Sequence, residues 1–461
     1  MPGINTILNT SKEALLAHLA AINVTGSNIA NVSTPGYSRL RPVFGSVSVL
    51  NPTADQLQLG VKITDIERLY DKFLEVQIVQ QEQDVTYSNT TNDVLKRVEA
   101  IFNESRGGGI SELLGKFWNA WHDLSANPGG QAEREVLGSI SQSLGAMFRE
   151  RANELFEVQK DVNTAISDAV RELNSYLEEM ANYNNRIIQV EISGDTATDL
   201  RDKRSELLKK MSGLINLSYF EGTDGALNIF LSNGKALVEG NSSWKLDVVE
   251  NPAEPHYYNI VFKDNPSEIL NSHFTKGKLG GLVELRDTTL DDYIDNLDSL
   301  AAGIILQVNA QHQLGYDVNG NMGGNFFVPA TQARDMQVSA DIIADSGKIA
   351  AAATVNGDAD NARLISSIKD KCVMESGTKT LGSYYHSFIG QIGYDADEAG
   401  RGSDRQSSIM SQLNNQKEGI SGVSLDEEML NLIKYQLGYN AAARISNIAS
   451  EMIDTLLALS K

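Results

Sequence analysis

Histidine and cysteine side chains supply most protein metal ligands and many nucleophiles, so their spacing is the first test for chemistry. The six histidines are His18, His122, His256, His273, His312 and His386. None belongs to a His-Glu-x-x-His zinc motif, and the chain has no Gly-x-Ser-x-Gly nucleophile elbow. Cys372 is the only cysteine, which excludes a disulfide framework and a thiolate cluster, and we interpret it as a buried, inert thiol. We therefore predict no catalytic, cofactor-binding or metal site.

Two acidic stretches could still bind cations. The first is a set of carboxylates at Glu284, Asp287, Asp291, Asp292, Asp295 and Asp298. Many of these would share one side of a helix, and we interpret them as a solvated acidic face. The alternative is an enzyme with an acidic cleft there, which a bound metal would favour. The second stretch, from Asp317 to Asn321, resembles the start of a calcium loop, but Met322 occupies the glycine position and Val328 the glutamate position, so we predict a turn.

Net charge excludes further classes of partner. The chain has 39 Lys and Arg against 60 Asp and Glu, a net charge of −21. Nucleic acids and anionic lipids both require a basic surface, so neither is expected as a partner. No apolar run approaches the roughly 18 residues that would span a bilayer, and the first residues do not read as a secretory signal. From these residues alone, we expect neither membrane insertion nor a cleaved signal peptide.

The first 40 residues contain the clearest periodic pattern. Apolar side chains recur every seven residues, with one more between them, at Leu8, Leu15, Leu19, Ile22 and Ile29. This spacing predicts a helix whose narrow apolar stripe pairs with another helix. Pro35 cannot continue a helix and Gly36 permits positive φ. The helix should therefore end near Asn31, before a sharp turn that includes Pro35, Gly36 and Tyr37.

The other end of the chain offers a partner for this stripe. Ser424 and Glu427 form a capping box, which predicts a helix start. Apolar residues with mostly three-or-four spacing follow, at Leu425, Met429, Leu432, Ile445, Ile448, Met452 and Leu459. We predict that both ends pair, parallel or antiparallel, as a coiled-coil-like terminal domain of residues 1–50 and 421–461.

Between the ends, helical periodicity dominates. Residues 70–211 read as helical, including a very long helix over 133–190 with one interruption near Glu157. Alternating apolar residues and the turn sequences Asp224-Gly225 and Asn233-Gly234 predict strands beyond Leu214. The fold class is therefore mainly α with an inserted β domain. We assign 51–214 and 277–420 to an elongated helical bundle. We assign 215–276 to the β domain, with part of 330–358 as a candidate addition.

Several stretches resemble a known family. Residues 30–39, Ala-Asn-Val-Ser-Thr-Pro-Gly-Tyr-Ser-Arg, resemble the N-terminal signature of the flagellar axial proteins, the rod, hook and hook-associated proteins. Residues 425–428, 435–436 and 439–444 resemble the C-terminal counterpart. The more specific resemblance, to hook-associated members, lies in residues 199–204, 277–287, 297–301, 308–312, 315–317 and 326–327.

The resemblance implies a structural protein that joins hook to filament. Copies would assemble as a helix or ring through the terminal helices. The implied partners are the hook protein, the next junction protein and a cytoplasmic export chaperone that binds the C-terminal helix. The implied location is the extracellular flagellum, reached without signal cleavage. A rod or hook protein is the alternative within the family, but a hook protein would be β-rich where this chain is helical.

Overall fold

The computed structural model describes residues 2–34, 36–49, 57–104, 107–193, 196–252, 257–355 and 357–459. Its α-helices are α1 (Pro2–Ala30), α2 (Lys72–Ile101), α3 (Ile110–Ala126), α4 (Gln131–Ile192), α5 (Thr198–Leu214), α6 (Gly277–Glu284), α7 (Leu290–His312), α8 (Ala340–Ala344), α9 (Asp360–Ser366), α10 (Leu381–Ser421) and α11 (Leu425–Leu459). Its strands are β1 (Leu40–Val49), β2 (Leu57–Arg68), β3 (Leu217–Glu221), β4 (Leu227–Leu231), β5 (Ala236–Glu239), β6 (Ser242–Ser243), β7 (Leu246–Glu250), β8 (Tyr258–Phe262), β9 (Asn265–Ile269), β10 (Cys372–Met374) and β11 (Lys379–Thr380).

The first and last helices pack together, as predicted, and they run antiparallel. Near the end of α1, the Asn28 side-chain amide donates a hydrogen bond to Glu428, near the start of α11, at 3.0 Å. Ten residues earlier in α1, the His18 ring lies against Gly438, ten residues later in α11. The antiparallel β1–β2 hairpin packs along α1. We call α1, this hairpin and α11 the terminal unit. The predicted boundary after residue 50 falls between the two paired strands, so this unit extends to Arg68.

The elongated bundle is organised around α4. This helix continues without interruption for 62 residues, about 90 Å at the usual rise per residue. The predicted interruption near Glu157 is therefore wrong, because Leu155, Val158 and Val162 keep the buried stripe continuous through that point. Helices α2, α3, α5, α6 and α7 all contact α4. The result is a long shared core rather than a rounded domain.

The β insert consists of two antiparallel sheets with the strand orders β3–β4–β5–β6 and β7–β8–β9. Gly225 and Gly234 have φ of +83° and +80° at the predicted turns, a conformation that glycine adopts without strain. Strands β5 to β8 contact α4, so the sheets lie along the long helix. The candidate addition at 330–358 holds short helical turns that contact α4 and α7.

Of two expectations about polar side chains, one is largely confirmed and one is wrong. Four of the six carboxylates at 284–298 are exposed, as a solvated acidic face requires, and the other two are half-buried. Tyr87 donates to the exposed Glu284 at 2.5 Å, and half-buried Asp298 accepts the Ala333 backbone N–H at 2.6 Å. Cys372 is exposed, not buried, because it begins the short surface hairpin β10–β11. Within the described ranges, no group of three or more His, Cys, Asp or Glu side chains could hold a metal ion. None of the helices described there is long and apolar enough to cross a membrane.

Candidate assembly surface

Small side chains form the contact between the two terminal helices. The buried side of α1 includes Ala17 and Ala21, and the buried side of α11 includes Ala442 and Ala449. At Gly438 a Cβ atom would lie 2.5 Å from the His18 ring, so a larger residue there would displace that ring. The predicted leucine and isoleucine residues of α1 are half-buried or exposed, so other residues, several of them small, are the fully buried ones in the terminal unit.

The large apolar side chains of α11 point away from α1 instead. Their exposed fractions include 47% at Leu425, 56% at Met429, 48% at Ile445, 53% at Ile448 and 49% at Met452. Leu432 is half-buried, and the side chain of Leu459 lies outside the described part. Six further large residues are exposed on the same helix, namely Leu430, Ile433, Leu437, Tyr439, Leu456 and Leu457. The C-terminal helix thus has an apolar surface that the monomer does not cover.

The predicted residues of α1 are less exposed. Leu19 is 45% exposed, whereas Leu8, Leu15, Ile22 and Ile29 are half-buried. The fully buried positions are others, including Ser11, Val24, Thr25 and Asn28. The structure thus brings the two predicted stripes onto one unit, with much of their apolar surface accessible. Their role as assembly contacts remains a prediction.

The turn after α1 follows the sequence-based expectation where it is described. Helix α1 ends at Ala30, and Gly36 has φ of +78°. Pro35 lies outside the described residues. The Tyr37 hydroxyl donates to the Asn28 side-chain oxygen at 2.9 Å, which folds the turn back onto the last turn of α1.

A buried polar cluster lies where α1, the hairpin and α11 meet. The Asn28 amide also exchanges two hydrogen bonds, both 2.9 Å, with the backbone of Leu40 at the start of β1. Glu428, whose side chain is only 2% exposed, accepts from Asn28 and forms an ion pair with Arg39 at 2.7 Å. Arg39 also contacts the exposed carboxylate of Glu427 at 2.6 Å. A buried carboxylate with a charged partner and a full set of hydrogen bonds favours one arrangement of the three elements over others.

A second buried carboxylate joins the terminal unit to the bundle. Asp202, on α5, accepts hydrogen bonds from the Ser38 backbone N–H at 3.1 Å and hydroxyl at 2.9 Å. Arg68, at the end of β2, lies 2.5 Å from the same carboxylate. Burial raises the pKa of Asp202, and the positive charge of Arg68 and the Ser38 hydrogen bonds oppose that rise.

The sequence alone does not indicate that the polar residues of these two clusters bind one another. Asn28 interrupts an apolar helix pattern, and Ser38 and Arg39 close the signature stretch, but each also reads as an ordinary helix end or turn residue. Glu428 lies in the first turn of α11, where negative charge suits the helix dipole, so it too resembles an ordinary helix-start residue. The missing information was the long-range pairing, because Asn28 and Glu428 are 400 residues apart in the chain.

Known proteins match this chain over nearly its whole length. A sequence model described as the flagellar hook-associated protein FlgK helical domain matches residues 95–327. Models of the flagella basal body rod protein and of the flagellar basal body rod FlgEFG protein C-terminal region match 8–37 and 419–459. These last two cover only the ends, which axial proteins share, so they do not favour a rod or hook protein.

Individual relatives agree with the helical-domain match. The flagellar hook-associated protein 1 of Bacillus subtilis (strain 168) is 28% identical, over 98% of this chain and 97% of its own. The protein of the same name from Escherichia coli (strain K12) is 23% identical, over 98% and 100%. The structure of the flagellar hook junction protein FlgK from Burkholderia pseudomallei shares the fold, with a TM-score of 0.69 and 17% identity over 75% of this chain and all of that one. The chain therefore belongs to the FlgK family of flagellar hook-associated proteins, which are structural proteins of the hook–filament junction.

Proposed function

We propose that copies of this chain assemble at the hook–filament junction through the outward faces of α1 and α11. The observation that carries this proposal is the inverted placement of side chains in the terminal unit: small residues face inward and large apolar residues face outward. Exposed fractions of the large residues on α11 range from 36% at Tyr439 to 68% at Leu430. An isolated globular protein rarely exposes so continuous an apolar surface, and such surfaces mark interfaces.

The energetics favour burial of this surface between copies. Full burial of a leucine, isoleucine or methionine side chain contributes roughly 1.5–3 kcal/mol. Several such side chains on every copy, repeated around a tube, would stabilise a ring or helical stack although each single contact is modest. The contacts would be heterologous, with the same two surfaces meeting at each step.

We further propose the neighbours in the stack. The assembly would contact the hook protein on one side and the next junction protein on the other. The residues predicted for the contacts between copies are the fifteen named from the sequence, Pro35 and Leu459 included. We also propose that residues 1–68 and 421–461 act as one assembly domain, with the remainder of the bundle and the β insert outside it.

The same apolar helix would need protection before assembly. We propose that a cytoplasmic export chaperone covers the outward face of α11, and that the chain then leaves through the flagellar channel without signal cleavage. We propose a structural role for this surface, because large apolar side chains make up most of it.

Exchange of a single outward side chain tests the assembly proposal. Ile448→Asp places a charge on a side chain that is 53% exposed in the monomer, so the monomer should keep its melting temperature. Junction assembly should fall at least tenfold, because burying one poorly solvated charge between copies costs well over about 1.4 kcal/mol. The readouts are circular dichroism of the purified monomer and electron microscopy of flagella in cells that lack their own family member.

Asn447→Asp is the matched control, because Asn447 is an exposed neighbour on the same helix and receives the same charge. This variant should assemble normally. If Ile448→Asp assembles as well as Asn447→Asp, the outward apolar face is not the assembly surface.

A further inference from the structure

One turn of α5 contacts both the terminal unit and the β insert. It lies in the stretch Asp-Leu-Arg-Asp-Lys-Arg at 199–204. Towards the terminal unit, Asp202 binds Ser38 and Arg68, as described above. Arg68 also lies over the Tyr70 ring, 4.4 Å from its centroid, and donates to the Ser205 hydroxyl at 3.4 Å. The end of the hairpin is therefore held on one side of this turn.

The two arginines of the same turn bind the β insert. Arg201 and Arg204 both contact the Glu221 carboxylate at the end of β3, at 2.6 and 2.8 Å. Arg204, which is 5% exposed, also donates to the Gly225 carbonyl in the β3–β4 turn at 2.6 Å. Arg201 reaches back to Glu191 near the end of α4 at 2.7 Å. The first hairpin of the insert is thus held by charged groups next to Asp202 in sequence.

Two cavities flank the contact between this turn of α5 and the terminal unit. A cavity of about 520 Å³ lies between the turn after α1 and helices α4 and α5, lined by Tyr37, Tyr183 and Lys210 among others. A second cavity of about 190 Å³ lies on the other side of that turn, against the end of α10. With space on both sides, docking of the terminal unit depends on polar contacts. These include the hydrogen bonds and ion pair of Asp202, the bond from the Arg39 backbone N–H to the Ser421 carbonyl at 3.0 Å, and the bond from the Thr196 hydroxyl to Asp65 at 3.5 Å.

We propose that the Arg201–Arg204 turn of α5 is a coupling element that ties the orientation of the terminal unit to that of the β insert. A terminal unit shifted by its neighbours would move Asp202, and with it the arginines that hold the β3–β4 hairpin. The coupling itself is a property of the monomer. Only its use, to align the insert as the junction assembles, rests on the proposed function.

Hydrogen exchange of the full-length monomer, followed by mass spectrometry, tests the coupling. Asp202→Asn keeps the shape of the side chain but removes the charge that Arg68 binds. Exchange should accelerate about fivefold or more both at residues 60–68 and at residues 217–231, since coupled sites differ by at least that factor. Because coupling is reciprocal, Glu221→Gln should accelerate exchange at residues 60–68 as well.

Lys203→Gln is the control, because this exposed lysine pairs only with Asp199 among the interactions of the described residues and should leave both regions unchanged. Ser38→Ala, a milder change, replaces Asp202→Asn if that variant does not fold. If each variant accelerates exchange only in its own region, the coupling is refuted, whatever the outcome of the assembly test. Normal assembly of an uncoupled variant would leave the proposed function intact.

Discussion

At the scale of single residues, the core depends on polar side chains that bind backbone groups. His312 is fully buried, with its Nδ1 atom 2.8 Å from the Gly324 carbonyl and its Nε2 atom accepting the Ala350 backbone N–H at 2.8 Å. This arrangement requires the neutral ring with the proton on Nδ1. Arg134, 3% exposed, similarly donates to the carbonyls of Pro128 at 2.6 Å and Ile349 at 2.5 Å. These contacts fix irregular segments against long helices.

Burial makes His312 a source of acid sensitivity. Desolvation lowers its pKa to about 4 from the ordinary 6.5. The unfolded chain therefore binds a proton below pH 6.5 that the folded chain takes up only near pH 4. Its contribution to the free energy of unfolding is full above pH 6.5 and should fall by about 3 kcal/mol as the pH drops to 4.

Urea unfolding followed by tryptophan fluorescence at pH 7 and pH 4.5 measures this effect. His312→Gln should be less stable at pH 7, but it should lose less stability on acidification than the parent chain. His122→Gln, at an exposed position, is the control and should behave as the parent at both pH values. If the free energy of unfolding falls equally between pH 7 and pH 4.5 in the parent chain and in His312→Gln, the assignment of this acid sensitivity to His312 is wrong.

At the scale of elements, the terminal pair depends on a close fit between one side chain of α1 and the backbone of α11. The His18 ring packs against Gly438 and lies near Phe44 and Tyr435, with ring centroids 6.0 and 6.4 Å away. Substitutions that enlarge tightly packed positions force such elements apart. The pair is therefore specific for antiparallel pairing at this register, although it buries few large side chains.

Gly438→Ala should weaken the pair by about 1–3 kcal/mol, offset by up to about 1 kcal/mol of helix propensity, because the His18 ring and its aromatic neighbours must shift to admit the new methyl group. The expected result is faster proteolytic cleavage within α11 of the monomer, with no change in the melting of the bundle. Gly393→Ala is the matched control: its Cβ would meet nothing within 4 Å, so the helix propensity of alanine should stabilise α10 by up to about 1 kcal/mol. Unchanged cleavage of α11 in Gly438→Ala would disprove this view of the contact.

At the scale of the whole molecule, stability is unevenly distributed. The principal core runs along α4 and includes Phe117, Trp121 and Phe326, all fully buried. By contrast, α2 and the second half of α10 share a small separate core of Leu74, Ile78 and Met410. The terminal unit lies beyond that, held by small side chains and two buried carboxylates. Regions with few buried apolar contacts open most readily.

We therefore expect both chain ends to be mobile in the free monomer. Limited proteolysis of dilute monomer should cut within α1 and α11 well before it cuts α4. Deletion of residues 425–461 should leave the melting temperature of the bundle within a few degrees of the parent value, because α11 contributes nothing to the principal core. The same deletion should abolish incorporation into flagella. Cleavage of the ends as slow as that of α4, or normal filament growth from the truncated chain, would contradict this expectation.

Sequence patterns predicted the elements better than their contacts. The fold class, the terminal helix pair and the inserted strands follow from periodicity and turn residues, which are local signals. The face of α1 that packs against α11 does not follow from these signals. An apolar stripe indicates burial, but not whether the same chain or another molecule buries it. Ala17, Ala21 and Gly438 carry no such signal, since small residues suit many environments. Likewise, Asp202 became informative only once the fold brought Ser38 and Arg68 beside it.

The exposed thiol of Cys372 has a practical consequence. As the only cysteine of the chain, and one that lies at the surface on β10 far in sequence from both ends, it accepts a maleimide dye or spin label without prior mutagenesis. A second cysteine introduced on α11 would then report, by energy transfer or electron resonance, how far the C-terminal helix moves between the solitary subunit and the finished junction.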